Sequence, residues 1–130
     1  MVHIGKGLVS SFFAVMLATA AHGTAWAQGK AGTVQGYVLD SACVFVRNVK
    51  KPLQAGKCAR ECAKAGSPLA ILADDGTIYW PISDAMPATG QNPRLLEFAG
   101  QRVTVQGKVF ERGGSHAIVI EKIEVESKGK

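Results

Sequence analysis

The sequence predicts a mainly β domain, a five-stranded OB-like barrel with one or two short helices. Three observations lead to this fold class. Five segments have the composition or alternation of strands, glycine-containing turns join two pairs of them, and a short helix separates the third strand from the fourth. This order is expected of a small Greek-key barrel. With 130 residues, the chain has room for one such domain.

Residues 1–27 are predicted to be a cleaved signal peptide that precedes the barrel domain at residues 28–130. Lys6 precedes an apolar run from Leu8 to Ala21, and Ala25-Trp26-Ala27 is a small-x-small cleavage pattern. The run is shorter than the roughly 20 apolar residues of a membrane span, so we expect no span after cleavage. The predicted localisation is periplasmic or secreted.

The charge pattern argues against a nucleic-acid partner. The formal net charge is +5, and beyond the leader Lys50-Lys51 is the only adjacent pair of basic residues. Basic residues spread in this way are typical of a solvated surface. We therefore expect an envelope partner of unknown identity or a metal ion, and no nucleic acid.

The first strand is predicted at Thr33–Leu39, which is rich in β-branched and aromatic residues. Gly36 in its middle suggests a bulge or a tight bend. The polar segment before it, Gln28–Gly32, is expected to be mobile. Asp40-Ser41 should end the strand, and the stretch from Cys43 to Lys57 has the irregular pattern of a loop.

A short helix and a hairpin are predicted next. Lys57–Ala65 consists mostly of good helix formers and is followed by Gly66. Two apolar runs, Leu69–Ala73 and Thr77–Trp80, then flank Asp74-Asp75-Gly76, and Asp-Gly between such runs is a strong hairpin signal.

The remaining elements are a loop, a short helix and a second hairpin. Pro81–Pro93 is predicted to be a surface loop, after which Asn92 caps a helix at Arg94–Phe98. Arg102–Phe110 alternates with period two, and Gly113-Gly114 makes a turn. In His116–Val125 the apolar residues change parity, which predicts a strand that is bulged or buried on both sides.

The order of short motifs resembles a group of small secreted bacterial domains with OB-like barrels and largely uncharacterised function. The motifs are Gly36-Tyr37-Val38-Leu39-Asp40-Ser41-Ala42-Cys43, Cys58-Ala59-x-x-Cys62 followed by Gly66-x-Pro68-Leu69, Asp75-Gly76-x-x-Tyr79, and Phe98-Ala99-Gly100-x-x-Val103-x-Val105-x-Gly107. In that family a histidine often precedes the first cysteine of the pair. That region is occupied here by Ala55, Gly56 and Lys57. Because the histidine is missing, we do not carry a metal role over from the resemblance.

The three cysteines, Cys43, Cys58 and Cys62, leave three alternatives open. Outside the cytoplasm, Cys43 can form a disulfide with Cys58 or Cys62, whereas two cysteines one helical turn apart rarely have disulfide geometry. Alternatively the three sulfurs bind a soft ion, with copper and zinc as candidates and Asp40 or His116 as a further ligand. The third alternative is thiol–disulfide exchange, for which a C-x-x-C motif is missing.

The predicted function is an exported, non-enzymatic binding or accessory module whose cysteine cluster is disulfide-bridged or metal-binding. A thiol–disulfide redox protein is one alternative. Another is an oligonucleotide- or oligosaccharide-binding barrel that stacks its ligand on Tyr37, Tyr79 or Trp80. Core packing is the more common role of such aromatic residues, and no catalytic residue is assigned.

Overall fold

The computed structural model describes residues 28–127, and the predicted signal peptide lies outside them. Five strands, three short α-helices and two short 3₁₀ segments make up this part of the chain. In chain order the elements are β1 (Lys30–Asp40), α1 (Ser41–Arg47), a 3₁₀ turn (Gln54–Gly56), α2 (Lys57–Lys64), β2 (Leu69–Ala73), β3 (Ile78–Pro81), α3 (Asn92–Leu95), a second 3₁₀ turn (Leu96–Phe98), β4 (Arg102–Arg112) and β5 (Ser115–Val125).

The five strands form a closed barrel in the order β1-β2-β3-β5-β4, which confirms the predicted fold class. Strand β1 pairs antiparallel with β2 through its C-terminal half and with β4 over most of its length. Closure comes from β3 and β5, the parallel pair, in which Tyr79 lies opposite His116. A barrel of this kind leaves no unpaired sheet edge along its wall.

The core lies inside the barrel and under α2. Inward positions alternate along the strands, as in β4, where Val103 and Val105 are fully buried. Helix α2 contributes Ala59 and Ala63, which are four residues apart and therefore share one face. The other buried members of this core are Val34, Val38, Leu69, Ile71, Leu95, Ala99, Ile118 and Ile120.

Three predicted features differ from the structure. The stretch from Cys43 to Lys57 was expected to be irregular, but its first residues belong to helix α1 (Ser41–Arg47), because Asp40 caps the first turn and Asn48 ends the helix in the left-handed conformation. Strand β1 begins at Lys30 rather than Thr33, since the polar lead pairs with β4. The helices therefore number three among the described residues, against the one or two predicted.

The second hairpin contains the predicted bulge. The register of β4 against β5 shifts between Gln106, opposite Lys122, and Gly107, opposite Ile120. Glu121 is the extra residue on β5, so the apolar residues on either side of it can face the core despite their change in parity. The first hairpin, α2 and the helix after the long loop also form close to the predicted positions. Gln91, not Asn92, occupies the N-cap position of that last helix, and its side chain makes no capping hydrogen bond.

No helix between residues 28 and 127 combines the length and the apolar character needed to cross a membrane.

We predict that Gly36→Ala destabilises the barrel, because β1 and β2 approach closely at this residue. An added Cβ would lie 2.7 Å from the carbonyl carbon of Leu72 and 2.8 Å from Cα of Ala73. Backbone atoms of a paired strand cannot move aside easily, so the free energy of unfolding should fall by roughly 1–3 kcal/mol. Urea denaturation measures this change. Gly90→Ala is the control, because nothing lies within 4 Å of its added Cβ, and equal losses in both variants would contradict the explanation.

Candidate metal centre

The three cysteines converge from two helices onto one site. Cys43 lies in α1, while Cys58 and Cys62 lie one turn apart in α2. Their Sγ atoms all lie within 4.8 Å of one another, and those of Cys43 and Cys58 are 3.9 Å apart. All three side chains are half-buried. The structure thus brings together the three sulfurs that the sequence predicted as one cluster.

Asp40 positions Cys43 at the start of α1. The backbone N–H of Cys43 donates a hydrogen bond of 2.9 Å to Oδ1 of Asp40, which is the N-cap of the helix. The other carboxylate oxygen of Asp40, Oδ2, accepts a hydrogen bond from the hydroxyl of Ser67, in the turn that follows α2. Asp40 is only 1% exposed. One buried carboxylate therefore connects the end of β1 to both cysteine-bearing segments.

The N-terminal end of α2 is fixed by close backbone packing. Gly56 precedes the helix with a φ of +84°, where a side chain is disfavoured. A Cβ at this position would also lie 2.7 Å from the carbonyl oxygen of Ala99 and 2.8 Å from Cα of Gly100. Arg60 in the first turn donates a hydrogen bond of 3.1 Å to that same Ala99 oxygen. Cys58, two residues after Gly56, is held in place by these contacts.

Asn92 fixes the other end of α2. Its amide nitrogen donates hydrogen bonds to the carbonyl oxygens of Ala63, at 3.3 Å, and Ser67, at 2.7 Å. Its amide oxygen accepts one of 2.9 Å from the N–H of Leu69, the first residue of β2. The sequence predicted Asn92 only as a helix cap and Ser67 only as part of the signal that ends α2. Both contacts span more than 20 residues, so no local pattern could have indicated them.

The distance between two of the three sulfur atoms fits one thiolate-bound ion. With a metal–sulfur distance of about 2.3 Å, sulfurs lie about 3.8 Å apart around a tetrahedral ion and about 4.0 Å apart around a trigonal ion. The 3.9 Å between the Sγ atoms of Cys43 and Cys58 agrees with both values. Soft thiolate ligands favour Cu(I) and Zn(II) among biological metals. The cluster can therefore hold a metal ion.

A metal ion must displace the protons of the thiols, so their pKa values affect its binding. Burial, followed by a hydrogen bond with Asp40, raises the pKa of Cys43 to about 12. Burial also raises the pKa of Cys62, and the negative charge of Asp40 adds to the effect. Because a bound thiolate has lost its proton, metal binding here releases protons and strengthens as the pH rises. The same negative charge favours a cation beside the sulfurs.

Neither of the further ligands proposed from the sequence belongs to the group of three sulfurs. Both carboxylate oxygens of Asp40 accept hydrogen bonds, so this residue supports Cys43 from outside the group. His116 lies near the start of β5, and its ring centroid is 5.5 Å from that of Tyr79. His116 has this position because β3 pairs parallel with β5, which places it next to Tyr79.

The disulfide alternative differs from the structure, in which all three cysteines are free. The closest sulfurs, those of Cys43 and Cys58, are 3.9 Å apart, whereas a disulfide bond is about 2.05 Å long. The two sulfurs belong to different helices, so side-chain rotation can change their separation.

The three aromatic residues considered for ligand stacking are half-buried, and each ring has a side-chain neighbour. Arg102 lies over Tyr37, with its guanidinium carbon 5.7 Å from the ring centroid. Trp80 stacks on Phe45 with centroids 6.1 Å apart and planes 9° from parallel. Tyr79 contacts His116 and packs against the core. Tyr79 thus packs against the main core and Tyr37 against the smaller cluster of Leu39, Val44 and Leu72, whereas Trp80 belongs to neither and stacks on the exposed Phe45.

Comparison of the chain with protein-family models, with curated proteins and with solved structures finds no match. The resemblance to small secreted bacterial domains therefore stays a prediction from the motifs.

We predict that Asp40→Ala destabilises the protein, because it removes the cap of α1 and the bond that Ser67 donates. The free energy of unfolding should fall by roughly 1–3 kcal/mol. Asp40→Asn keeps an oxygen for the cap and should lose less. Chemical denaturation measures the stability of both variants. The control is Asp84→Ala, at an exposed residue whose Oδ2 lies 3.7 Å from Nζ of Lys108. That control should change stability by less than about 0.5 kcal/mol. A loss for Asp40→Ala no larger than the control's would refute the role of Asp40.

Proposed function

We propose that this protein is an exported accessory module that binds one soft metal ion, Cu(I) or Zn(II), through Cys43, Cys58 and Cys62. One observation supports this proposal above the others. Three sulfur atoms from two separate helices lie within 4.8 Å of one another, at a spacing that suits a shared ion.

The ligand set favours an exchangeable ion over a permanently enclosed one. Structural zinc sites have four protein ligands, whereas sites with three keep one position open for water or another molecule. Three sulfurs form the group found among residues 28–127, and each of these side chains is half-exposed. An ion bound here can therefore enter from solvent and leave again. Exchange of the ion with solvent is what a binding or carrier role requires.

The proposed location outside the cytoplasm rests on the sequence of residues 1–27. Expression of the full chain in a bacterium with an intact export pathway should give a protein that begins at Gln28. Intact-mass measurement of the periplasmic and cytoplasmic fractions tests this. Replacement of Ala25 and Ala27 by leucine should block cleavage and leave the precursor, since the signal peptidase requires small residues there. A precursor of full length in the cytoplasm of the unaltered strain would contradict export.

Metal titration tests the binding function directly. The reduced protein, kept free of oxygen, should bind one Cu(I) or one Zn(II) in competition with a chromophoric chelator. We expect weaker binding in each of the three variants Cys43→Ser, Cys58→Ser and Cys62→Ser. Loss of a residue that only hydrogen-bonds to a metal ligand weakens binding by roughly 10- to 100-fold, and loss of a ligand itself should weaken it by at least as much. Co(II) substitution should give thiolate charge-transfer bands that each variant weakens.

Ala42→Ser is the matched control for this experiment. It places a hydroxyl on an exposed residue of the same helix as Cys43, outside the cluster, and should leave affinity and spectra unchanged. Unchanged affinity in all three cysteine variants would show that any bound ion lies elsewhere. Failure of the reduced protein to bind either ion would exclude the proposal.

A further inference from the structure

Cys43 is the sulfur of the cluster that can also join to a second one. Its Sγ atom is 3.9 Å from that of Cys58, both thiols are free, and they belong to different helices. Cys62 also lies within 4.8 Å of Cys43, whereas Cys58 and Cys62 lie one turn apart in α2, where side chains rarely meet disulfide geometry. Cys43 and Cys58, whose sulfurs are in contact, are the pair best placed for a bridge, which leaves Cys62 as the additional sulfur.

We propose that the site is a redox-controlled metal site, in which a disulfide between Cys43 and Cys58 replaces the bound ion. This inference rests on the proposed metal-binding function. Two of the three ligands are consumed when the bridge forms, and Cys62 alone remains. Because a sulfur in a disulfide is no longer a thiolate, the bridged protein loses its soft-metal site. Metal and disulfide are thus alternative states of the same residues.

The oxidant is a disulfide-containing molecule, and the reaction is thiol–disulfide exchange. One cysteine of the pair attacks a sulfur of the oxidant RSSR, forms a mixed disulfide and releases RSH. The second cysteine then attacks the protein sulfur of the mixed disulfide and releases the second RSH. The protein loses two electrons and two protons, and RSSR gains them. Reduction by a dithiol reverses both steps and regenerates the ligands.

The structure provides both access and freedom to move. Cys43 and Cys58 are half-exposed, so a small disulfide can reach them. Closing the bond requires the sulfurs to approach by about 2 Å, from 3.9 Å to the normal bond length. The backbone at Cys43 is held by the Asp40 cap, so this movement falls mainly on the side chains. A bound ion occupies both sulfurs and should therefore protect them from exchange.

The experiment treats the metal-free, full-length chain with glutathione disulfide and follows it by mass spectrometry and Zn(II) titration. The expected product has lost two hydrogen atoms, contains a peptide linked through Cys43 and Cys58, and has one alkylatable thiol, Cys62. Its affinity for Zn(II) should fall at least tenfold and return after treatment with a phosphine reductant. Preloading with Zn(II) should slow bridge formation.

Cys62→Ser is the matched control, because it should still form the bridge, while Cys43→Ser and Cys58→Ser should stop at a mixed disulfide with glutathione. Circular dichroism confirms that each variant is folded. Three results would overturn the inference: a bridge that includes Cys62, no bridge in a protein whose reduced form binds Zn(II), or a bridged protein that binds Zn(II) as tightly as the reduced one. The second of these leaves the proposed metal site intact. Bridge formation in a protein that binds no metal when reduced overturns both proposals.

Discussion

Both oxygens of the Asp40 carboxylate are hydrogen-bonded inside the protein, one to the backbone N–H of Cys43 and one to the hydroxyl of Ser67. The site depends on this residue because it is the last residue of β1, the cap of α1 and a contact of the turn after α2. A buried carboxylate is stable only where its acceptors are satisfied. That requirement ties the position of the two cysteine-bearing helices to the end of a barrel strand.

The barrel and the site support each other through α2. Its Ala59 and Ala63 pack into the core, while Cys58 and Cys62 lie next to them and remain half-exposed. Small alanine side chains allow the helix to lie close to the strands, so the two sulfurs stand near the barrel wall rather than out in solvent. Asn92, which comes from the far side of a long loop, completes the attachment of this helix. The cluster is therefore held by the fold on several sides.

The chemistry of the site follows from having three sulfurs rather than two or four. Two cysteines alone would form a disulfide or remain reduced, and four would enclose a zinc ion. With three, a soft ion can be bound with an open position, and a single pair can still form a bridge. A disulfide and a bound metal, which are alternative interpretations of the sequence, thus become alternative states of one site in our proposal. In that proposal, the sulfur left unpaired by the bridge, that of Cys62, is the third metal ligand.

Local patterns were sufficient to predict the five strands, the order of elements, the Asp75-Gly76 hairpin and the bulge in the last strand, because strand alternation and turn chemistry depend on neighbours in sequence. The same patterns placed Cys58 and Cys62 on one helix. They gave an irregular loop where α1 forms, because Asp40, which was correctly predicted to end the strand, is also the cap of this helix. Only the tertiary structure decided which side chains meet Cys43. Its separation from Cys58, the support from Ser67 and the pairing of His116 with Tyr79 all depend on how barrel closure brings remote segments together.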